Sequence, residues 1–189
     1  MDADSIILET SDLMDNAVKH CEHDLSTLHT GKASPGMVED LQVMVSSYGS
    51  NMRIRDIAAV TTPDARSIVI TPWDKNVLKD IERGIQSANL GFNPSIQGTL
   101  VRVPVPELSG ERRKELVKVA NNMAEQARVS IRHARHAALD PLKKGQKDGD
   151  ISEDDLKAYE KDVQKLTDDH IELINKLFKG KEQDLLQMS

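Results

Sequence analysis

The spacing of apolar residues changes twice along this chain, and the changes divide it into three stretches. In the first thirty residues Ile6 or Ile7, Met14, Ala17 or Val18, Cys21, Leu25 and Leu28 keep a three-or-four spacing, which predicts an amphipathic helix capped at Asp4 or Ser5. From Leu41 the period falls to two: Leu41, Val43 and Val45 alternate with polar or exposed positions as a half-buried strand. Turn chemistry at Tyr48–Met52 precedes a short apolar strand region around Ile54, Ile57 and Val60, and a turn at Pro63–Ala65 precedes a strand over Ser67–Thr71. Asp74 is placed to cap a helix carrying Val77, Leu78, Ile81 and Ile85, and Thr99–Val103 reads as a further strand. From Glu111 to Lys147 the helical period returns through Leu116, Val119, Met123, Ala127, Ser130, Ala134 and Ala138. At about 1.5 Å per residue this helix is on the order of 50 Å long. Pro141 should kink it or end it near 137–141, with Gly145 and Gly149 completing the break. A capping box at Ser152–Asp155 opens a last helix with Leu156, Tyr159, Val163, Leu166, His170, Leu173 and Leu177 on its seam.

The pattern predicts an α+β protein: a three-helix bundle built from residues 1–30 and 107–189, with a small β/α/β lobe inserted over 31–106. The two connections carry the residues that stop helices and leave sheets. Gly31, Pro35 and Gly36 mark one hinge near 31–36, and Pro104 and Pro106 mark the other near 104–106.

Charge alters this picture at one element. The chain has 25 Lys and Arg against 31 Asp and Glu, a formal net charge of −6. Within 111–147 there are ten Lys and Arg against four Asp and Glu, so the positive charge is confined to the long helix. Arg128, Arg132 and Arg135 recur at i, i+4 and i+7 as one guanidinium row, a phosphate-binding pattern on a body that otherwise repels nucleic acid. The alternative is intramolecular complementarity, a basic helix balanced by acidic neighbours.

Other chemistry is sparse. Cys21 is the only cysteine, which excludes an intramolecular disulfide and a thiolate metal cluster, and His20 and His23 beside it leave a metal site short of ligands. Only two Phe, two Tyr and one Trp are available to stack on bases. The chain shows no Gly-rich phosphate loop, HExxH or GxSxG motif, no catalytic triad, no span-length apolar run and no N-terminal targeting signal. His170 reads as a core or boundary histidine. A non-enzymatic, cytoplasmic factor without a cofactor is expected.

Several segments together carry a family resemblance. They are Thr30-Gly-Lys-Ala-Ser-Pro35, Leu90-Gly-Phe-Asn-Pro94, Arg102-Val-Pro-Val-Pro-Glu-Leu108, Glu111-Arg-Arg-Lys-Glu-Leu116, Glu125-Gln-Ala-Arg-Val-Ser-Ile-Arg132, Ile151-Ser-Glu-Asp-Asp155 and Asp162-Val-Gln-Lys-Leu-Thr-Asp168. In this order and spacing they resemble the ribosome recycling factor family over nearly the whole chain. The resemblance implies an L-shaped monomer of transfer-RNA-like dimensions that lies across the A and P sites of the post-termination ribosome. It implies that the bundle faces large-subunit rRNA, and that elongation factor G with GTP acts as partner in splitting the subunits. Arg128, Arg132 and Arg135 match the family's arginines, Lys32 is implied as a further rRNA contact, and Arg112 and Arg113 are candidates with alternative partners in Glu111 and Glu115. His29, Lys32 and His136 replace arginines frequent in relatives, so weaker or more pH-dependent ribosome binding is expected. Two readings compete with this one. A helical adaptor would not bind ribosomes in a salt-sensitive way, and an RNA-processing enzyme would need a catalytic constellation.

Overall fold

Asp2, two residues ahead of the expected cap, starts the first helix by accepting a hydrogen bond from the Ser5 amide. The hydrogen bond from the Ser5 hydroxyl, and then that from its amide, hold the Asp2 carboxyl below the usual aspartate range. The computed structural model describes residues 2–187. Its contacts form two units, one from the chain through His29 and from Gly110 onward, the other Thr30–Ser109.

The first unit is a bundle of α1 (Ala3–Ser26), α4 (Gly110–Asp148) and α5 (Glu153–Leu186), with α4 packed against both others. At one end Ala3 of α1 meets Ala138 and Leu142 of α4 and Val163 of α5, so α4 runs antiparallel to its two neighbours. Ala120, Ala124, Ala127, Ala134 and Ala138 line the buried face of α4, and their small side chains let the flanking helices approach closely. Met14, Ile131, Leu142, Ile174 and Leu185 fill the remaining core. Each contributes about 1.5–3 kcal/mol of apolar burial. His170 ties α5 to α1: its Nδ1 lies 2.6 Å from the Leu166 carbonyl and its Nε2 2.8 Å from the Asp15 carboxylate.

Two features of the bundle depart from the sequence pattern. Val119 and Ser130 are exposed, while Ala120, Ala124 and Ile131 are buried. With about 100° per residue, the seam of α4 is rotated by about 40° toward the arginine row. A helix packed on two neighbours buries a broader face than a single stripe. The second departure is that α4 does not end near 137–141, one of the two outcomes expected of Pro141, but continues to Asp148. It terminates at Gly149, whose φ of 82° is the left-handed conformation that glycine tolerates, with the Asp150 amide donating to Gly145 at 2.8 Å. The capping box at the start of α5 is formed, with Ser152 Oγ accepting from the Asp155 amide at 3.0 Å.

The second unit packs two sheets and a helix around one core. β1 (Gln42–Val45) and β2 (Ser50–Arg53) form a hairpin. β3 (Ala58–Asp64), β4 (Ser67–Pro72), β5 (Ser95–Gln97) and β6 (Leu100–Pro104) form an antiparallel sheet in the order β3-β4-β6-β5. Between the sheets in sequence, Ile54–Ile57 is a short helix, α2, where a strand was expected. Ile54 and Ile57 are both buried at a spacing of three, which one helical turn places on one side. Asp74 caps a 3-10 turn over Lys75–Val77 that leads into α3 (Leu78–Ser87). On α3, Asp80 is buried and accepts from both the amide and the hydroxyl of Ser46 at 3.0 and 2.9 Å, holding the end of β1. Gly84 lies so close to β1 that an added Cβ would meet Val43 Cγ1 at 2.1 Å.

Both connections to this unit are fastened to one turn. The Ala33 amide donates to the Ala65 carbonyl and the Val105 amide to the Arg66 carbonyl, each at 2.8 Å. Arg66 also pairs with Glu107. Pro35 begins a 3-10 turn and Pro104 closes β6, so both belong to folded elements.

Candidate functional site

The guanidinium row of α4 is organised by one carboxylate. With about 100° per residue, Arg128, Arg132 and Arg135 fall within an arc of about 60° beside the buried seam, and Glu125 projects within about 20° of Arg132. Glu125 Oε2 accepts from Arg128 Nη1 and Oε1 accepts from Arg132 Nη1, both at 3.0 Å. The hydrogen bonds from Arg132 and then Arg128 hold the Glu125 carboxyl below the usual glutamate range. Arg128 also donates through Nε to Asn175 Oδ1 of α5 at 2.9 Å.

The three arginines are therefore not equivalent. The Arg128 side chain is only 15% exposed and spans α4 and α5, whereas Arg132 is 45% exposed. Arg135 is half-buried, and His136 beside it is exposed. The seam rotation accounts for this, because it draws Arg128 and Arg135 toward the neighbouring helices and leaves Arg132 facing out. Arg132 uses one guanidinium nitrogen on Glu125 and has further N–H groups for a ligand. A planar guanidinium fixed in direction by a carboxylate suits a pair of phosphate oxygens.

The remaining candidates separate. Arg113 is a correction: it is buried, and its Nη1 donates to the carbonyls of Leu185 and Gln187 at 2.9 and 3.0 Å. It fastens the end of α5, and it falls on the α4 seam with Leu116 and Ala120. Arg112 is exposed and paired with Glu115 at 3.0 Å. It lies about 160° round the helix from Arg132. Lys32 is exposed in the segment after Gly31, in the second unit. Lys114, Lys118 and Lys143 were not singled out from sequence, yet they share the outward face of Arg132 and are exposed. Helical spacing alone would have found them.

Cys21 is buried, and burial, then Asp24, push its thiol up, with Arg128 acting the other way. Among the described residues no group of three His, Cys, Asp or Glu could hold a metal ion, and no helix is long and apolar enough to cross a membrane. A groove of about 580 Å³ between α1 and α5 is lined by Val18, Leu25, Leu173 and Leu177 around Lys181. Burial lowers the Lys181 amine from its ordinary value, against the pull of Asp184.

Comparison with known proteins adds a family. A family model described as ribosome recycling factor matches residues 21–186. The ribosome-recycling factor of Akkermansia muciniphila is 44% identical over 98% of this chain and 99% of that protein. That of Deinococcus radiodurans is 43% identical over 98% of each. A solved structure described as the solution structure of the ribosome recycling factor superposes with a TM-score of 0.75 at 34% identity, covering 100% of this chain and 99% of that one. Another, from models of the T. thermophilus ribosome recycling factor and E. coli elongation factor G bound to the E. coli post-termination complex, gives a TM-score of 0.63 at 40% identity, covering 99% and 100%.

Proposed function

This chain belongs to the ribosome recycling factor family, and we propose that it binds the post-termination ribosome across the A and P sites as a monomer in the cytoplasm. In this reading elongation factor G with GTP is its partner in splitting the ribosome into subunits, releasing mRNA and deacylated tRNA. The similar T. thermophilus factor, placed with elongation factor G on a post-termination complex, supports that choice of partner. The factor acts by binding and leverage, and the GTPase supplies the energy.

The observation that carries the RNA-facing assignment is the clamp of Glu125 on Arg132 and Arg128. It holds two guanidiniums side by side on the one α-helix with a positive balance. Arg132 and Arg135, with Lys114 and Lys118 on the same face, would meet phosphates of the large-subunit rRNA. Arg128 would set their backing against α5, and Lys32 would add a contact from the second unit. Backbone and shape recognition of this kind suits a folded RNA.

Leverage needs places to bend. Because Ala33, Val105 and Glu107 are fastened to the Ala65–Arg66 turn and Leu28 to the end of α1, bending is assigned to the stretch around Gly31, whose φ is 84°, and to the chain just after Glu107. Pro35, Gly36 and Pro104 then belong to the lobe rather than to the moving part of the hinge.

The test is an affinity series for ribosomes across salt concentrations, with Arg132→Ala/Arg135→Ala beside the natural protein. Two lost phosphate contacts should flatten the slope of log K against log salt by about two. Subunit splitting, followed by light scattering, should need the protein, elongation factor G and GTP, and should be lost in the variant while thermal stability is retained. An unchanged salt slope would remove the α4 face from the interface. Absence of splitting with a cognate GTPase would favour an adaptor.

A further inference from the structure

The second unit carries a cleft that the RNA-binding reading does not use. Tyr48, in the turn after β1, and Trp73, immediately after β4, line a cavity of about 180 Å³ together with Asp56 of α2 and Asp74. Trp73 is 70% exposed and Tyr48 58% exposed, although the chain has only one Trp and two Tyr. The Trp73 amide donates to the Ile57 carbonyl at 3.2 Å, which ties the segment bearing the indole to α2.

Three carboxylates of this unit are held by arginines, and among the described residues the two of this cleft, like Glu39, Asp80 and Glu82, are not. Asp40 pairs with Arg55, Asp64 with Arg102 and Glu107 with Arg66. No described cation pairs with Asp56 or Asp74. Asp74 spends one oxygen on the Asn76 amide at 2.9 Å, as the cap of its 3-10 turn, and retains the other. Two aromatic side chains and two carboxylates without a counter-ion around one cavity match the requirements of a cation with a flat or slender stem.

We propose that this cleft receives a lysine or arginine side chain of a protein partner. The charged end meets Asp56 and Asp74, and the stem lies against Trp73 and Tyr48. The carboxylates disfavour the phosphates of a nucleic acid, so the occupant is a protein. The cleft thereby gives the lobe a docking point of opposite charge preference to α4. The inference goes beyond the assignment of α4 and does not depend on it, since its test requires no ribosome.

Because Trp73 is the only tryptophan, its fluorescence in the full-length protein reports on the cleft directly. The probe is acetyl-tetra-arginine amide at low salt, with the tetra-citrulline peptide as the uncharged counterpart of the same shape. The expected result is a saturable change in Trp73 emission with the arginine peptide and none with citrulline. Affinity should fall by at least about tenfold in Asp56→Asn/Asp74→Asn. Asparagine at position 74 can keep the cap, and circular dichroism checks that the fold is retained. Tyr48→Ala, which leaves both carboxylates in place, should also weaken binding. The proposal is overturned by an equal response to citrulline, by undiminished affinity in the double variant, or by a response to tetra-uridylate in place of the basic peptide.

Discussion

Glu125 shows how a single carboxylate can determine what its neighbours offer. Its acidity is raised by the two arginines it holds, so its folded-state pKa lies below the ordinary value of 4.5. A depressed carboxyl adds stability above the unfolded pKa and loses it as pH falls through the folded one. Glu125→Gln should therefore lower the urea midpoint slightly at pH 7, and the gap from the natural protein should close as pH is taken below about 4.5. Urea melts between pH 7 and 3 check this, and a gap that stayed constant with pH would mean that packing, rather than charge, is lost. Arg113 was read from its charge and its place beside Arg112 as a candidate contact, and its three-residue distance from Leu116, which puts it on the buried seam, was the signal passed over. The structure resolves the conflict through the carbonyls at the end of α5, which a guanidinium can satisfy without a carboxylate. No sequence signal marked Asn175 as the partner of Arg128, because a contact between two helices depends on their relative rotation.

That rotation is the main thing the helical periodicity left open. Period three-four identified all three bundle helices, because burying a stripe demands that spacing whatever the partner is. The direction in which the stripe faces depends on two neighbours at once, and it moved toward Arg128 and Arg135. In the lobe, β4 and β6 were legible from Ile68, Ile70, Val101 and Val103, all fully buried. The β2 and β5 strands were not, since their residues are mostly exposed and belong to the sheets through backbone pairing alone. Pro141 was expected to kink α4 or end it, and the helix does not end there, with Leu142 buried immediately after. Proline supplies no amide to the turn before it, and its ring crowds that turn. Pro141→Ala should therefore raise the stability of the bundle, by up to about 3 kcal/mol where the local geometry relaxes fully. Chemical denaturation measures this directly. A loss of stability would show that the half-buried ring packs better at this end of the bundle than a methyl group does.

At the scale of the whole chain, the division of labour follows from where cores and charges are placed. The lobe core runs from Met37 to Val105 and draws on its strands, α2 and α3, while the bundle core is drawn from α1, α4 and α5. Each unit thus buries its own apolar surface, which is the condition for folding alone. The acidic balance of α1 and α5 leaves α4 as the bundle helix proposed to meet RNA, so binding and leverage should be separable by surgery. A chain in which residues 2–29 are joined to 110–187 by a flexible Gly-Ser linker should fold as a helical bundle with a cooperative thermal transition. It should still bind ribosomes with a salt dependence close to that of the whole protein, less the share of Lys32, because the α4 arginines are intact. It should not split post-termination ribosomes with elongation factor G and GTP, since it lacks the lobe and with it one arm of the proposed lever. Co-sedimentation and light scattering on the same preparation read both outcomes. Splitting at the natural rate would place the point of leverage on the bundle itself and leave the lobe without a mechanical role.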